Sequence, residues 1–170
     1  MQAFRECIQR YPTFAGAHSG LAQILEKRYL RDLGAADGLE VVRLLRLATR
    51  IDPTDLQAAL RLARFMMGLG RYVEARDLAA SILAKDGRIE VARNLLETLA
   101  HVDETEDPDL TDVLGQIEEQ GRLPTDRSDR RRMHREVSRL VQSLPDIDRE
   151  LGARRSVVVD AEGHAYDESG

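Results

Sequence analysis

Hydrophobic positions in the first hundred residues recur three and four residues apart, which is typical of amphipathic helices. The recurring apolar positions are Leu21, Leu25, Leu45, Leu62, Met66, Leu78 and Ile82. A single helical hairpin cannot cover its own apolar face, so these stripes predict several hairpins stacked side by side. Helices are predicted over 14–29 and 39–50, separated by a break over 31–37, and a further helix over 89–99.

The turns and small residues repeat at a fixed interval. Pro53 lies 34 residues before Gly87, and Ala48 lies 34 residues before Ile82. An earlier turn at Pro12 lies 41 residues before Pro53, so the first repeat carries seven extra residues. We place them at 31–37 as a longer turn within the hairpin, because loop-closure entropy grows slowly with length.

The spacing within residues 55–87 resembles the tetratricopeptide repeat. The residues that carry this resemblance are Leu62, Ala63, Gly70, Tyr72, Ala75, Ala79 and Ile82, followed by Asp86 and Gly87. Ala63 and Ala75 are expected where helices approach closely. Ala59, Ala79 and Gly87 depart from the family pattern, which leaves another antiparallel helical-hairpin repeat as an alternative. The resemblance covers residues 1–101 and implies a solenoid that binds other proteins.

The pattern changes after residue 101. Residues 102–128 are expected to be an acidic linker that contains a short capping helix over 110–120. A helix is predicted over 129–144. The β-branched run over 155–160 then predicts a strand, residues 161–164 a turn, and residues 165–167 are expected to start a second strand. The expected fold is therefore all-α, with hairpin repeats over 1–101 and a C-terminal helix plus β-hairpin segment over 129–170.

Residues 133–163 resemble the opening of bacterial roadblock domains of the roadblock/dynein light chain family. The likeness lies in a helix, a Leu-Pro-Asp-Ile turn, a Val-Val-Val-Asp strand and a Glu-Gly turn, in that order. The resemblance implies a dimerising platform for small Ras-like GTPases. A two-stranded hairpin is marginal alone, so we also expect a homodimer through residues 126–170.

Charge and composition narrow the function. The net charge of -5 disfavours nucleic acid as a partner, because phosphate binding needs a concentrated basic surface. The four histidines, His18, His101, His134 and His164, form no paired ligand motif, and no phosphate-binding glycine loop is present. We therefore predict no metal, no cofactor and no catalysis.

The single cysteine excludes an intrachain disulfide and suits a cytoplasmic location. No apolar run approaches the ~20 residues that span a bilayer, so no membrane segment is expected in the chain as given. Helical register begins by Phe4, which suggests a chain cut from something longer and leaves an upstream signal or anchor open.

The repeat groove is the candidate site. The resemblance implies that the first helix of each hairpin lines a concave surface formed by Ser19, Gln23, Glu26, Gln57, Leu60, Arg64 and Met67. Leu60 and Met67 are expected to supply apolar contacts, and Arg64 is expected to bind a carboxylate. Ser19, Gln23 and Arg61 do not reproduce the carboxylate clamp with which some tetratricopeptide modules bind chaperone C-termini.

The function predicted from the groove is a non-catalytic scaffold or adaptor that binds a peptide or a partner protein. One alternative is a regulator or dimerisation platform for a small GTPase, acting through residues 129–170. Another is a non-catalytic subunit of an enzyme or secretion complex. A solvated inner wall that binds nothing, or a groove filled by the helix over 110–120, also stays open.

Overall fold

The fold is a row of antiparallel helices followed by two helices and a small hairpin. A computed structural model of the protein describes residues 1–100, 102, 127–155, 157–159 and 165–167. Its helices are α1 (Gln2–Arg10), α2 (Ala15–Asp32), α3 (Ala35–Ile51), α4 (Leu56–Gly68), α5 (Tyr72–Lys85), α6 (Glu90–Ala100), α7 (Arg127–Val141) and α8 (Ile147–Arg155). Its strands β1 (Val157–Val159) and β2 (Ala165–Asp167) pair antiparallel. The predicted helical repeats are confirmed, whereas the predicted acidic linker and capping helix lie outside the described residues.

The turns between hairpins repeat the same chemistry 34 residues apart. The Asp52 carboxylate accepts a hydrogen bond from the Thr54 backbone N–H at 2.9 Å, and the Asp86 carboxylate accepts one from the Arg88 N–H at 3.0 Å. Asp55 then caps α4 by accepting from the Ala58 N–H at 3.0 Å. These side chains satisfy backbone donors that a helix start leaves free.

The first hairpin, α2–α3, is longer than the second, α4–α5, and the difference lies at the turn between the two helices. Helices α2 and α3 contain 18 and 17 residues, whereas α4 and α5 contain 13 and 14. The turn within the first hairpin is only Leu33 and Gly34, so the prediction of a longer turn over 31–37 is wrong. The seven extra residues lengthen the helices beside the turn instead.

The glycines explain that error. Gly38 lies inside α3, where a Cβ atom would stand 2.9 Å from the Tyr29 ring, so it permits a close approach and does not break the helix. The turn itself is made by Leu33, which adopts a left-handed φ of 51°. In the second hairpin Gly70 provides the left-handed residue, with φ 77°.

Small residues bring the helices together as predicted. Ala22, Ala63 and Ala75 are fully buried, and they belong to one apolar core that runs from α2 through α6. Close packing of this kind leaves little room for larger side chains.

Helix α7 packs into the same core. Val137 and Val141 are buried in it, and a Cβ atom at Gly38 would stand 3.1 Å from Val137 Cγ2. Arg71 at the second hairpin turn donates from Nη1 to the Ser138 carbonyl at 2.9 Å. The helix is therefore held against the extended end of the first hairpin and the turn of the second.

The C-terminal segment departs from the sequence prediction. The predicted helix over 129–144 is observed as α7 and ends at Val141, and α8 occupies a stretch for which no helix is predicted. Asp146 caps α8 by accepting from the Asp148 N–H at 2.8 Å, and Arg43–Glu150 and Arg50–Asp148 ion pairs hold it against α3. The elements that suggested a roadblock domain are therefore interrupted, because α8 lies between the Leu-Pro-Asp-Ile turn and β1.

Candidate functional site: a cavity between α2, α4 and α7

The first helices of the two hairpins lie side by side. Glu26 on α2 forms an ion pair with Arg61 on α4 at 3.1 Å. One turn further along, the rings of Tyr29 and Phe65 meet edge to face with centroids 5.6 Å apart, a favoured arrangement of aromatic rings. These two contacts fix the spacing of α2 and α4.

A cavity of about 250 Å³ opens between these helices and α7. Its apolar lining residues are Tyr29, Leu30, Leu60, Phe65 and Leu69. Its polar and charged lining residues are Glu26, Lys27, Gln57, Arg61, Arg64 and His134, and Gly68 completes the wall. Apolar walls with a few polar groups at the rim are typical of ligand sites in proteins.

Tyr29 and His134 join the long hairpin to α7 at this cavity. The Tyr29 hydroxyl and His134 Nδ1 are 2.7 Å apart, and both residues are buried, at 0% and 5% exposed. Burial raises the pKa of the Tyr29 hydroxyl, so the hydroxyl keeps its proton at neutral pH and can take part in this hydrogen bond as an uncharged group.

The environment keeps His134 neutral. Burial, and secondly the charge of Arg130, lower the pKa of His134 to about 4. Its Nε2 atom makes no hydrogen bond to any residue that the structure describes. A positive charge on the His134 ring, buried and close to the charge of Arg130, would therefore be unfavourable. The neutral ring packs as part of the cavity wall.

The rim of the cavity is positively charged. Arg61 is neutralised by Glu26, whereas Lys27 and Arg64 are exposed and form no ion pair within the described part of the chain. The two unpaired cations stand on opposite helices, α2 and α4. The rim therefore favours an anionic group in a ligand.

The predicted groove residues fall into three groups. Glu26, Gln57, Leu60 and Arg64 line the cavity. Ser19 and Gln23 lie on α2 outside the cavity lining, half-buried and exposed respectively. Met67 does not face the groove as predicted; it is 5% exposed and belongs to the core.

Four apolar side chains of the cavity are not among the predicted site residues. Tyr29, Leu30, Phe65 and Leu69 lie near helix ends, and apolar periodicity does not distinguish a cavity wall from the core. His134 lies 105 residues from Tyr29 in sequence, and no local pattern links the two. Only the helical register of Leu30, four residues after Glu26, gives a signal that it shares the predicted face.

The described residues contain no group of three His, Cys, Asp or Glu side chains that could hold a metal ion. None of the described helices is long and apolar enough to cross a membrane.

Comparison with known proteins finds a family for the middle of the helical row. A family model described as tetratricopeptide repeat matches residues 32–93. This segment is similar to tetratricopeptide repeats. No curated protein and no solved structure matches the chain.

The tetratricopeptide match covers only part of the cavity. It includes α3, α4 and α5 in full, so it supplies Leu60, Arg64 and Phe65. Glu26, Tyr29 and Leu30 precede it, and His134 lies far beyond it. The cavity thus combines side chains from the segment similar to tetratricopeptide repeats with side chains outside it.

Proposed function

We propose that this protein is a non-catalytic scaffold that binds a peptide or a segment of a partner protein on the concave side of its tetratricopeptide repeats. The observation that carries the proposal is the open, apolar cavity between the first helices of consecutive hairpins, with Gln57 and Arg64 at its rim. Helices of such repeats are a family of protein-binding surfaces, and this cavity has the depth to anchor a side chain.

The charges around the core support a binding role over catalysis. Several ion pairs at the hairpins join different helices, as Arg46 and Glu74 do at 3.0 Å, and so fix the scaffold. His134 is neutral and held by Tyr29, which is a poor arrangement for a general base that must reach a substrate. We also propose a cytoplasmic location, which the single cysteine supports.

Site-specific photo-crosslinking in the native host cell tests the concave surface. A benzophenone amino acid is placed in the full chain at Gln23 or Gln57, both exposed on first helices, or at Asp77, exposed on α5. We expect the same partner to crosslink from positions 23 and 57 and not from 77. Crosslinks from position 77 alone would place binding on the opposite face and contradict the proposal.

A second function, self-association through the C-terminal hairpin, has its own support. Strands β1 and β2 form a two-stranded sheet, and no third strand joins it within the described residues. A two-stranded sheet with open edges favours pairing with another chain. We propose a homodimer formed there, and the platform for a small GTPase remains a proposal that depends on it.

Light scattering after size exclusion tests the dimer. The full chain is compared with a chain that ends at residue 155 and so keeps α7 and α8 docked on the repeats. A dimeric full chain and a monomeric truncated chain support the proposal. Monomers in both cases would overturn the dimer, and the GTPase platform with it.

A further inference from the structure

We propose that the cavity between α2, α4 and α7 binds one large apolar side chain of a peptide, and that acidic residues flank this side chain in the peptide sequence. The inference rests on the proposed function and goes beyond it, because it states the chemistry of the ligand. It also makes α7, which lies outside the tetratricopeptide match, a wall of the binding site.

The size and lining of the cavity select an apolar side chain. A cavity of roughly 150 Å³ lined by aliphatic and aromatic groups admits a benzene ring, and this one measures about 250 Å³. Leu30, Leu60 and Phe65 are among its lining residues. An isobutyl or phenyl group that enters is removed from water, and burial of that area favours binding.

The rim selects the neighbouring residues of the peptide. Lys27 and Arg64 stand at the opening without an ion-pair partner in the described part of the chain, while Glu26 is already occupied by Arg61. The rim thus carries an excess of two positive charges in a protein whose net charge is -5. Carboxylates on either side of the anchor would pair with these cations, and basic flanks would be repelled.

Helix α7 keeps the cavity rigid. His134 is fixed by its hydrogen bond to Tyr29 at 2.7 Å, and Tyr29 is fixed in turn by the Phe65 ring. A wall that is already in place before binding does not have to be ordered by the ligand, which favours affinity. Without α7 the repeats would present a groove between α2 and α4 at this point that lacks the wall supplied by His134.

A random peptide library displayed on phage and panned on the full chain provides the probe. We expect enrichment of sequences with Leu, Met or Phe next to Asp or Glu. Enriched sequences are then made as labelled synthetic peptides, and their dissociation constants are measured by fluorescence anisotropy at low and high salt. Enrichment of basic flanks, or no enrichment at all, would overturn the inference.

Gly68 offers a way to fill the cavity without damaging the fold. It lines the cavity at the end of α4, and a Cβ atom there meets nothing within 4 Å. We expect Gly68→Leu to fold normally and to weaken the selected peptides about tenfold or more, because the leucine competes with the anchor. Gly152→Leu is the matched control, since Gly152 also lies in a helix, α8, with open space around it.

Charge reversal tests the rim separately. Arg64→Glu is expected to weaken the peptides about two- to tenfold, with the loss shrinking as salt rises, because exposed pairs are screened. Arg5→Glu makes the same change at an exposed site on α1, away from the cavity, and should leave affinity unchanged.

The outcomes separate this inference from the scaffold itself. Loss of binding with Gly68→Leu and Arg64→Glu, and full binding in both controls, supports the proposed ligand chemistry. Peptides that bind Gly68→Leu as tightly as the parent chain would overturn the anchor cavity. In that case the crosslinks from positions 23 and 57 still decide independently whether the concave surface binds a partner.

Discussion

The two hairpins of this protein share a repeat pattern but end differently. Both begin at the same position relative to their core leucines: α2 starts six residues before Leu21, and α4 starts six residues before Leu62. The difference lies at the turn between the two helices of each hairpin. There α2 is five residues longer than α4, and α3 is three residues longer than α5. Five helical residues add about 7 Å of length.

Because of this extra length, the first hairpin extends beyond the turn of the second, and α7 packs against the part that extends. We call residues 28–38 the ledge. Tyr29 and Gly38 of the ledge contact His134 and Val137 of α7, while Arg71 at the shorter hairpin's turn holds the Ser138 carbonyl. An insertion inside a repeat can therefore build a docking surface for a helix far away in sequence, while the stacking of the repeats stays unchanged.

Removing the ring at the centre of the ledge should have the largest effect. Tyr29 is fully buried, and loss of a buried aromatic side chain costs about 3 to 5 kcal/mol. We expect Tyr29→Ala to lower the free energy of unfolding in urea by that amount. Tyr11→Ala, at a site that is 59% exposed, should change it by less than about 0.5 kcal/mol. Equal effects of the two substitutions would contradict the ledge packing.

Acid should loosen the ledge through His134. Its folded pKa of about 4 lies below the ordinary value of 6.5, so the unfolded chain binds more protons between those values. The contribution to stability is complete above about pH 6.5 and is lost as the pH falls towards 4, on the order of 2 to 3 kcal/mol. Between about pH 4 and pH 6.5, the free energy of unfolding should rise less steeply with pH in His134→Gln than in the parent chain. Parallel curves for the two chains would show that His134 is not buried neutral.

Enlarging a residue at a close helix crossing tests the repeat register. Ala63 is fully buried at the packing surface of the second hairpin, where three added carbon atoms have no space. Ala63→Leu is expected to cost about 1 to 3 kcal/mol in thermal or urea unfolding. Ala80→Leu, at an exposed position of α5, serves as the control. An unchanged unfolding midpoint in Ala63→Leu would mean that the assigned register is incorrect.

Replacing a glycine by alanine should raise the stability in one hairpin and lower it in the other. Replacing a helical glycine by alanine ordinarily stabilises by up to about 1 kcal/mol, and Gly68 has the space for it. At Gly38 the new Cβ would lie 2.9 Å from Tyr29 and 3.1 Å from Val137, so Gly38→Ala should destabilise by about 1 kcal/mol or more. Differential scanning calorimetry of the two variants compares them directly. Stabilisation by Gly38→Ala would indicate that α7 and Tyr29 do not approach α3 closely.

The sequence predicts the repeats well because their signals are local and periodic. The 34-residue spacing of Asp52 and Asp86 reflects a turn in which each aspartate accepts a hydrogen bond from the backbone N–H two residues later. It does not predict the ledge, since Gly34 and Gly38 are ordinary signals for a loop, and only the ring of Tyr29 explains why Gly38 is needed inside a helix.

The site is predicted only in part, for the same reason. Glu26, Gln57, Leu60 and Arg64 follow from helical periodicity within one repeat pattern, and they line the cavity. Met67 shares that periodicity, but its side chain turns into the core. The contact of His134 with Tyr29 depends on where a distant helix docks, and spacing along the chain contains no signal for it.

Hydrogen exchange of the α7 amides in the full chain tests the account most directly. A helix of 15 residues is marginal by itself in water, so its amides are protected only if it is docked on the ledge. We predict that the Val137 and Val141 amides exchange as slowly as those of α4, and that Tyr29→Ala speeds their exchange while α4 and α5 stay protected. Exchange of the α7 amides at the rate of a free peptide, in a chain whose hairpins are protected, would contradict the docking of α7 and its place in the cavity wall.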